Sequence, residues 1–356
     1  MKIGILTFHW ATNYGAVLQC YALQSYLEEQ GHTVEIINYK PHMCDDSLYT
    51  FFKLKKFLEI GTYIENRKKE SALDLFRKEK LKQTKRIYSY TDVPGILEGF
   101  DALISGSDQV LNPAFLLHGE KFNFVSPTYF LGFPFAGRKI GYALSFGCVN
   151  YPQNALHIAS QFVKDFNYIS VRESTGVNIV RSMGKDSAIV VCDPTLLISS
   201  TFYHKLADIH SLKCEQPYIY SFFIRNIAER KKTINSQLKN HKIVWNNDDD
   251  DYSVEGWLSK IKHAEFVVTD SFHCMVMCLK LHKPFIVVTN LKGNVGMNDR
   301  FYTLLEKMSL ESIIIHKDDI ELLQTSLTID FEWEKVDKIL DKISNVGKIF
   351  LYNALS

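Results

Sequence analysis

The stretch with the clearest chemical potential is Glu265–Pro284, which reads EFVVTDSFHCMVMCLKLHKP. A β-branched apolar run ends in Thr269-Asp270-Ser271, and His273 opens an apolar run with helical spacing. This pattern predicts a buried parallel strand that leads into a helix, with the imidazole at the edge of the sheet where open α/β folds bind ligands. There the imidazole could transfer a proton, Asp270 could orient it, and the helix N–H groups could receive an anion. A simple helix cap followed by a packed histidine would give the same pattern.

Several other apolar runs also end in polar or glycine-rich tips. These tips are Ser105-Gly106-Ser107-Asp108, Phe146-Gly147, Arg172-Glu173-Ser174 and Asp193-Pro194-Thr195. Because parallel strands place their carboxyl ends at one edge of a sheet, the repetition predicts that the tips line one cleft.

The order of elements predicts an α/β protein of two Rossmann-like domains that face each other across a cleft. A strand at 2–8, a helix at 16–30 and a strand at 33–39 make a βαβ opening. The rhythm pauses around residues 198–217 and a second alternation then begins. We therefore predict a first domain over 1–198, a second over 199–330 that carries His273, and a C-terminal helix over 331–356 for which the first domain is a candidate packing surface.

A basic helical insertion is predicted within the first domain, at about residues 50–88. Between Lys53 and Arg86 there are twelve basic and five acidic side chains, a local charge of +7 that leaves about −6 for the rest of the chain. Apolar residues recur there at helical spacing. A pair of solvated amphipathic helices would account for this pattern, and so would a basic face for anionic lipid or an anionic polysaccharide precursor.

Bulk composition excludes several classes of function. The chain has 356 residues, 46% of them hydrophobic, and a net charge of +1, which argues against nucleic acid as the main partner. The seven cysteines form no CxxC pair and predict reduced, buried thiols, and the spacing of His9, His263 and His282 indicates no metal. The four acidic residues at 248–251 predict a solvated turn. With no leader and no membrane span in the sequence, we expect a cytoplasmic protein, with peripheral contact at the inner face of the membrane as an alternative.

Six strings in order resemble the polysaccharide pyruvyl transferase family. They are ATNYGAVLQCYALQSYL at the first helix, SGSDQVLNP from Ser105, SVREST from Ser170, CDPTLL from Cys192, TDSFH ending at His273, and NDRFYTLLEKM from Asn298. The resemblance implies a GT-B-like fold and transfer of a pyruvyl group from phosphoenolpyruvate onto two sugar hydroxyls as a cyclic ketal. It places the family's histidine at His273 and its strand-end arginine, a contact to the donor, at Arg172. Some members have an arginine two residues before the histidine, where this chain has Ser271.

Phosphoenolpyruvate carries a phosphate and a carboxylate, which call for guanidinium groups and N–H donors. Protonation of its methylene carbon would let a sugar hydroxyl attack C2, and a histidine suits that general-acid step. No step requires a metal or a cofactor. The candidate catalytic residues are His273 and Asp270; the candidate donor-binding residues are Arg172, Arg300, Ser271 and Arg225; the candidate acceptor or cleft residues are Asn13, Tyr14, Gly15, Ser105, Gly106, Ser107 and Asp108.

The expected partners are phosphoenolpyruvate and a sugar or oligosaccharide acceptor, with a lipid-linked acceptor as one form and no nucleic acid. Two other functions fit the same pattern. One is a GT-B-like glycosyltransferase that uses a nucleotide sugar. The other is a non-catalytic sugar-binding protein of a polysaccharide cluster.

Overall fold

The computed structural model describes residues 1–41, 60–113, 117–118, 121–125, 127–210 and 216–356. The chain divides into two compact units, one of Met1–Leu197 with Val346–Ser356 and one of Ile198–Asn345. Each unit is built on a parallel β-sheet flanked by helices. The prediction of two Rossmann-like α/β domains is therefore confirmed.

The first unit is an alternation of strands and helices whose apolar strands are buried. Its elements are β1 (Lys2–Leu6), α1 (Tyr14–Glu29), β2 (Thr33–Ile36), α2 (Ile60–Lys80), β3 (Ala102–Ser105), β4 (Leu117–His118), β5 (Lys121–Val125), β6 (Arg138–Leu144), α3 (Gln153–Val163), β7 (Tyr168–Val171), α4 (Ser174–Ser182) and β8 (Ile189–Val190). Within its described residues, the main sheet has the order β2-β1-β3-β6-β7-β8 and every pair is parallel. Strands β4 and β5 pair with each other in antiparallel register.

The second unit repeats this design with a smaller sheet. Its elements are α5 (Ser200–Ile209), β9 (Ile219–Phe222), α6 (Ile227–Gln237), β10 (Ile243–Trp245), α7 (Val254–His263), β11 (Phe266–Thr269), α8 (Phe272–Lys280), β12 (Phe285–Thr289), α9 (Asp299–Leu305), β13 (Ile314–His316) and α10 (Leu323–Ser326), followed by α11 (Trp333–Leu355). The described strands pair in parallel in the order β10-β9-β11-β12-β13. The strand order changes direction between β9 and β11, as it does between β1 and β3 in the first sheet.

Helix α1 begins two residues earlier than its apolar spacing predicts. The Asn13 side-chain oxygen accepts the N–H groups of Gly15 (2.8 Å) and Ala16 (3.3 Å), which is the usual work of an N-cap. Tyr14 and Gly15 therefore lie in the first helical turn, and both are buried.

The basic insertion is described only in part. Residues 42–59 lie outside the described residues, and the described remainder contains one helix, α2, so the predicted pair of helices stays a prediction. Residues 83–87 are not helical, because Gln83 and Ile87 form parallel bridges with Ile36 and Tyr39 beside β2. Leu73 and Phe76 are buried, so α2 packs on the core of the unit and is not a freely solvated helix.

The terminal helix α11 contributes to both units. Residues up to Asn345 belong to the second unit, and those from Val346 belong to the first. In the first unit, the Arg138 guanidinium donates to the carbonyls of Ala354 (3.1 Å) and Ser356 (2.8 Å). The Phe350 ring lies 6.1 Å from that of Tyr142, so the last turns of the chain complete this core.

None of the described helices combines the length and the apolar character that a membrane span requires.

Candidate functional site

Buried polar side chains occupy the switch point of the first sheet, which is the place between β1 and β3 where the strand order changes direction. Gln19 donates to the Thr7 hydroxyl (2.8 Å) and accepts the N–H of Ser107 (3.1 Å), while Thr7 donates to the Ser107 carbonyl (3.2 Å). All three residues are buried. These bonds tie the end of β1, helix α1 and the turn after β3 into one rigid unit.

The Ser105–Asp108 turn, selected as a candidate acceptor site, directs its two hydroxyls inward. Ser105 donates to the Tyr129 carbonyl (2.5 Å), and Ser107 donates to the Asp193 carboxylate (3.0 Å). Both serines are 0% exposed. Asp108 is partly exposed, and its carboxylate accepts the N–H of Gln109 (2.8 Å). The carboxylate of Asp108 is thus the group of this turn that remains accessible to a ligand.

Gly106 is required by the backbone of this turn. Its φ is +114°, and a Cβ built there would lie 2.1 Å from the Tyr142 carbonyl oxygen. We expect Gly106→Ala to lower the free energy of unfolding by roughly 2–3 kcal/mol, through backbone strain and overpacking. Urea unfolding followed by circular dichroism will measure this. Gly95→Ala is the matched control, because a Cβ there meets nothing within 4 Å; equal midpoints for the two variants would contradict the prediction.

Arg172, the predicted donor contact, lies in a buried ionic cluster. Its guanidinium contacts Asp193 (3.1 Å) and Glu173 (3.4 Å), with all three side chains under a tenth exposed. Burial opposes the charge on Arg172, but the carboxylates of Glu173, Asp193 and Asp108 outweigh it and raise the pKa of the guanidinium. The net charge of this cluster is therefore negative, which disfavours the binding of a dianionic donor.

The loop after β1 is braced by two buried basic groups that the sequence did not indicate. His9 lies 3.2 Å from both the Thr7 carbonyl and the Asn38 side-chain oxygen. Arg77 of α2 donates to the carbonyls of His9 (2.8 Å) and Ala11 (2.7 Å). The loop that leads to Asn13 and Tyr14 is thus held in place by the inserted helix.

Burial gives His9 a measurable effect on stability. It lowers the pKa of His9 from its ordinary 6.5 to about 4, so the folded protein keeps the imidazole neutral while the unfolded chain protonates it. The part of the unfolding free energy that depends on the neutral imidazole is fully present above pH 6.5. It decreases by about 3 kcal/mol as the pH falls toward 4. We expect His9→Asn to have a shallower decrease in unfolding free energy between pH 7 and pH 4.5 than the wild type.

The control for that experiment is His241→Asn, since His241 is exposed. It should retain the pH dependence of the wild type. A parallel pH dependence in wild type and His9→Asn would contradict the assignment to His9.

In the second sheet, His273 lies in the first turn of α8, directly after β11. Ser271 is the N-cap of this helix, and its hydroxyl accepts the N–H of Cys274 (3.4 Å). Ser271, a predicted donor contact, thus also has this structural role. His273 is 7% exposed, and its ring packs edge-on against Phe272 at 5.4 Å. The imidazole is fixed at the carboxyl end of the sheet, as the sequence pattern predicted.

Arg300 also lies against the Phe272 ring that packs on His273. Its guanidinium lies 5.8 Å from the centre of the Phe272 ring and 5.1 Å from that of Phe301. The Phe272 ring therefore lies against both a candidate proton donor and a cation.

Asp270 supports the backbone of the turn before α6. Its two carboxylate oxygens accept the N–H groups of Ile224 (2.7 Å) and Arg225 (3.2 Å). Burial raises the pKa of Asp270, against the effect of these hydrogen bonds and of the charges on Arg225 and Arg230. The Arg225 side chain is exposed and donates to the Met297 sulfur (3.0 Å). Arg230, which the sequence analysis did not select, is therefore part of the same cluster.

The acidic run at 248–251 is more than the solvated turn that was predicted. Lys260 is fully buried, and its ammonium group donates to the Asp249 carboxylate (2.5 Å) and the Asp251 carbonyl (3.0 Å). The run thus supplies the partners of a buried cation. In the described parts of the chain, no three His, Cys, Asp or Glu side chains are placed to hold a metal ion.

The two parallel-sheet α/β domains, together with their likeness to solved structures, place the fold in the GT-B-like class. The chain belongs to the polysaccharide pyruvyl transferase family, whose sequence profile matches residues 13–292. No protein of curated function matches the sequence significantly.

Solved structures support the assignment of the fold. The Staphylococcus aureus MnaA structure with UDP is 12% identical, with a TM-score of 0.51 over 96% of this chain and 90% of that one. The Neisseria meningitidis UDP-GlcNAc 2-epimerase bound to UDP-GlcNAc is 11% identical, with a TM-score of 0.51 over 100% of this chain and 99% of that one. At such identities the likeness shows the fold alone.

Proposed function

We propose that this protein transfers a pyruvyl group from phosphoenolpyruvate to two hydroxyls of a sugar, forming a pyruvate ketal on a surface polysaccharide or its precursor. The observation that carries the proposal is the placement of His273 in a chain of this family. Its imidazole is held in the first turn of α8, beside Phe272 and near the Arg300 guanidinium. A proton donor and a cation at one sheet edge are what an enol phosphate substrate requires.

The chemistry proceeds by proton and bond transfers. His273 delivers a proton to the methylene carbon of phosphoenolpyruvate, and the first sugar hydroxyl adds to C2 with loss of its own proton. The C2–O bond to phosphate then breaks, inorganic phosphate leaves, and the second hydroxyl closes the ring with loss of a second proton. No step of this scheme uses a metal or a cofactor.

The other residues have supporting roles in this proposal. Arg300 and Arg225 provide cations at the sheet edge of the second unit, and Asp270 holds the turn that carries Arg225. In the first unit, Asp108 is the candidate for contact with a sugar hydroxyl.

The test is incubation with phosphoenolpyruvate and a panel of sugar acceptors, free, nucleotide-linked and lipid-linked. Release of inorganic phosphate and a mass gain on one acceptor are expected. If no acceptor of the panel causes phosphate release, and glycans extracted from whole cells also carry no pyruvate ketal, the proposal is contradicted. Transfer of a sugar from a nucleotide sugar, with phosphoenolpyruvate untouched, would establish the glycosyltransferase alternative instead. Binding of sugar without turnover would establish the non-catalytic one.

A further inference from the structure

The guanidinium of Arg230 is buried without a carboxylate partner among the described residues. Arg230 is 5% exposed, and to the described part of the chain its side chain makes one hydrogen bond, from Nη2 to the Asn290 side-chain oxygen at 2.6 Å. A guanidinium has five N–H donors, so most of its capacity to donate is unused. Buried arginines are ordinarily paired, because burying an uncompensated charge is unfavourable.

Arg230 lies at the switch point of the second sheet. It is in the first turn of α6, which follows β9, while Asp270 follows β11 and Asn290 follows β12. These three strands are neighbours and parallel, so the hydrogen bond from Arg230 to Asn290 spans the end of β11. Open α/β sheets bind their ligands at this point.

Neighbouring groups contact both residues. The Arg230 guanidinium lies 5.7 Å from the centre of the buried Phe223 ring, and the main-chain carbonyl of Asn290 accepts a hydrogen bond from the His316 side chain at 2.9 Å. The amide NH₂ of Asn290 can donate in the same region as the guanidinium. Such preorganised donors bind a ligand with little loss of side-chain entropy.

Carboxylates lie around Arg230, but among the described residues none of them forms an ion pair with its guanidinium. Burial lowers the pKa of Arg230, and the charges of Asp270, Glu229 and Asp318 only partly oppose this effect. Asp270 uses each carboxylate oxygen for a backbone N–H and forms no ion pair with Arg230.

We propose that Arg230 and Asn290 form an oxyanion-binding site at the switch point of the second sheet. The site takes a phosphate or carboxylate group of the substrate, which supplies the missing partner of the buried guanidinium. That this substrate is phosphoenolpyruvate rests on the proposed function; the oxyanion site itself does not.

The experiment is isothermal titration of the full chain at low ionic strength with phosphoenolpyruvate, inorganic phosphate, pyruvate and UDP. Arg230→Met should weaken phosphoenolpyruvate binding roughly 10- to 100-fold, the effect of losing a charge-assisted contact. Arg230→Lys should lie between it and the wild type, because an ammonium lacks the planar fork. Competition by inorganic phosphate identifies the phosphate end as the bound group, and competition by pyruvate identifies the carboxylate end.

Two further variants separate binding from folding. Lys232→Met removes one positive charge from an exposed position of the same helix and should change affinity by less than about twofold. Asn290→Asp places a carboxylate beside Arg230, so it should raise the melting temperature while abolishing anion binding. If Arg230 had a purely structural role, Asn290→Asp would raise the melting temperature equally without changing ligand affinity.

The outcomes distinguish this site from the proposed reaction. Binding of phosphoenolpyruvate that is equal in wild type, Arg230→Met and Asn290→Asp would overturn the site and leave pyruvyl transfer standing. Binding of UDP but not phosphoenolpyruvate, with dependence on Arg230, would support the site and overturn pyruvyl transfer. A wild type that binds none of the four probes would overturn the site.

Discussion

Replacing His273 with alanine is expected to reduce the rate of phosphoenolpyruvate-dependent ketal formation by about 10² or more. General-acid catalysis by a positioned side chain is typically worth 10²- to 10⁴-fold, and the scheme begins with protonation of an unreactive methylene carbon. The imidazole is held at the edge of the second sheet by the cap of α8 and by Phe272. The measurement is the initial rate of phosphate release with the acceptor found in the panel.

The buried position of His273 requires a stability control. His273→Gln keeps much of the volume and one hydrogen-bonding group, so it should fold like the wild type yet remain slow. His241→Ala, at an exposed position of the same unit, should retain the wild-type rate. A His273→Gln variant with wild-type activity would exclude the imidazole as the acid, and the proposed scheme would have to be abandoned.

Replacing Asp193 with alanine is expected to destabilise the protein by roughly 3–5 kcal/mol, because the buried guanidinium of Arg172 loses its carboxylate contact with Asp193. The Asp193 side chain is 0% exposed and accepts hydrogen bonds from Ser107 (3.0 Å), Arg172 (3.1 Å) and the Thr195 hydroxyl (2.7 Å). Removing it breaks contacts to the turn after β3, to the residue after β7 and within the turn after β8. Denaturant unfolding gives the change directly.

An exposed ion pair in the same unit provides the matched comparison. Asp186 contacts Arg181 at 3.4 Å, but the two side chains are 85% and 60% exposed. Asp186→Ala should therefore change stability by less than about 1 kcal/mol. If both aspartate variants lose the same small amount, the cluster around Arg172 is not a structural element, and a direct role of Arg172 in donor binding becomes the better interpretation.

The strands were the most predictable part of the fold. The predicted strands at 2–8 and 33–39 are observed with the predicted first residues, Lys2 and Thr33, because a short apolar run bounded by polar residues has few other ways to be buried. The position of His273 followed from the same pattern. Helix ends were less predictable, since the early start of α1 depends on the side-chain bond of Asn13 to Gly15.

The partners of charged side chains could not be predicted from local sequence. Arg230 stands in the polar string NIAERKK, which has the pattern of a solvated helix, and its contact with Asn290 joins residues 60 positions apart. Arg172 and Asp193 likewise meet only through the pairing of β7 with β8. Such contacts depend on sheet order, which apolar periodicity does not specify.

The division of α11 between the two units has a consequence for biosynthesis. A ribosome completes β6 and β7 long before it adds Val346–Ser356, yet Arg138 and Tyr142 of β6 contact residues in that last segment. Part of the surface of the nascent N-terminal sheet therefore stays exposed until the whole second unit has been translated. A chain that terminates early would leave the first unit unfinished even though every strand of its sheet had already been made.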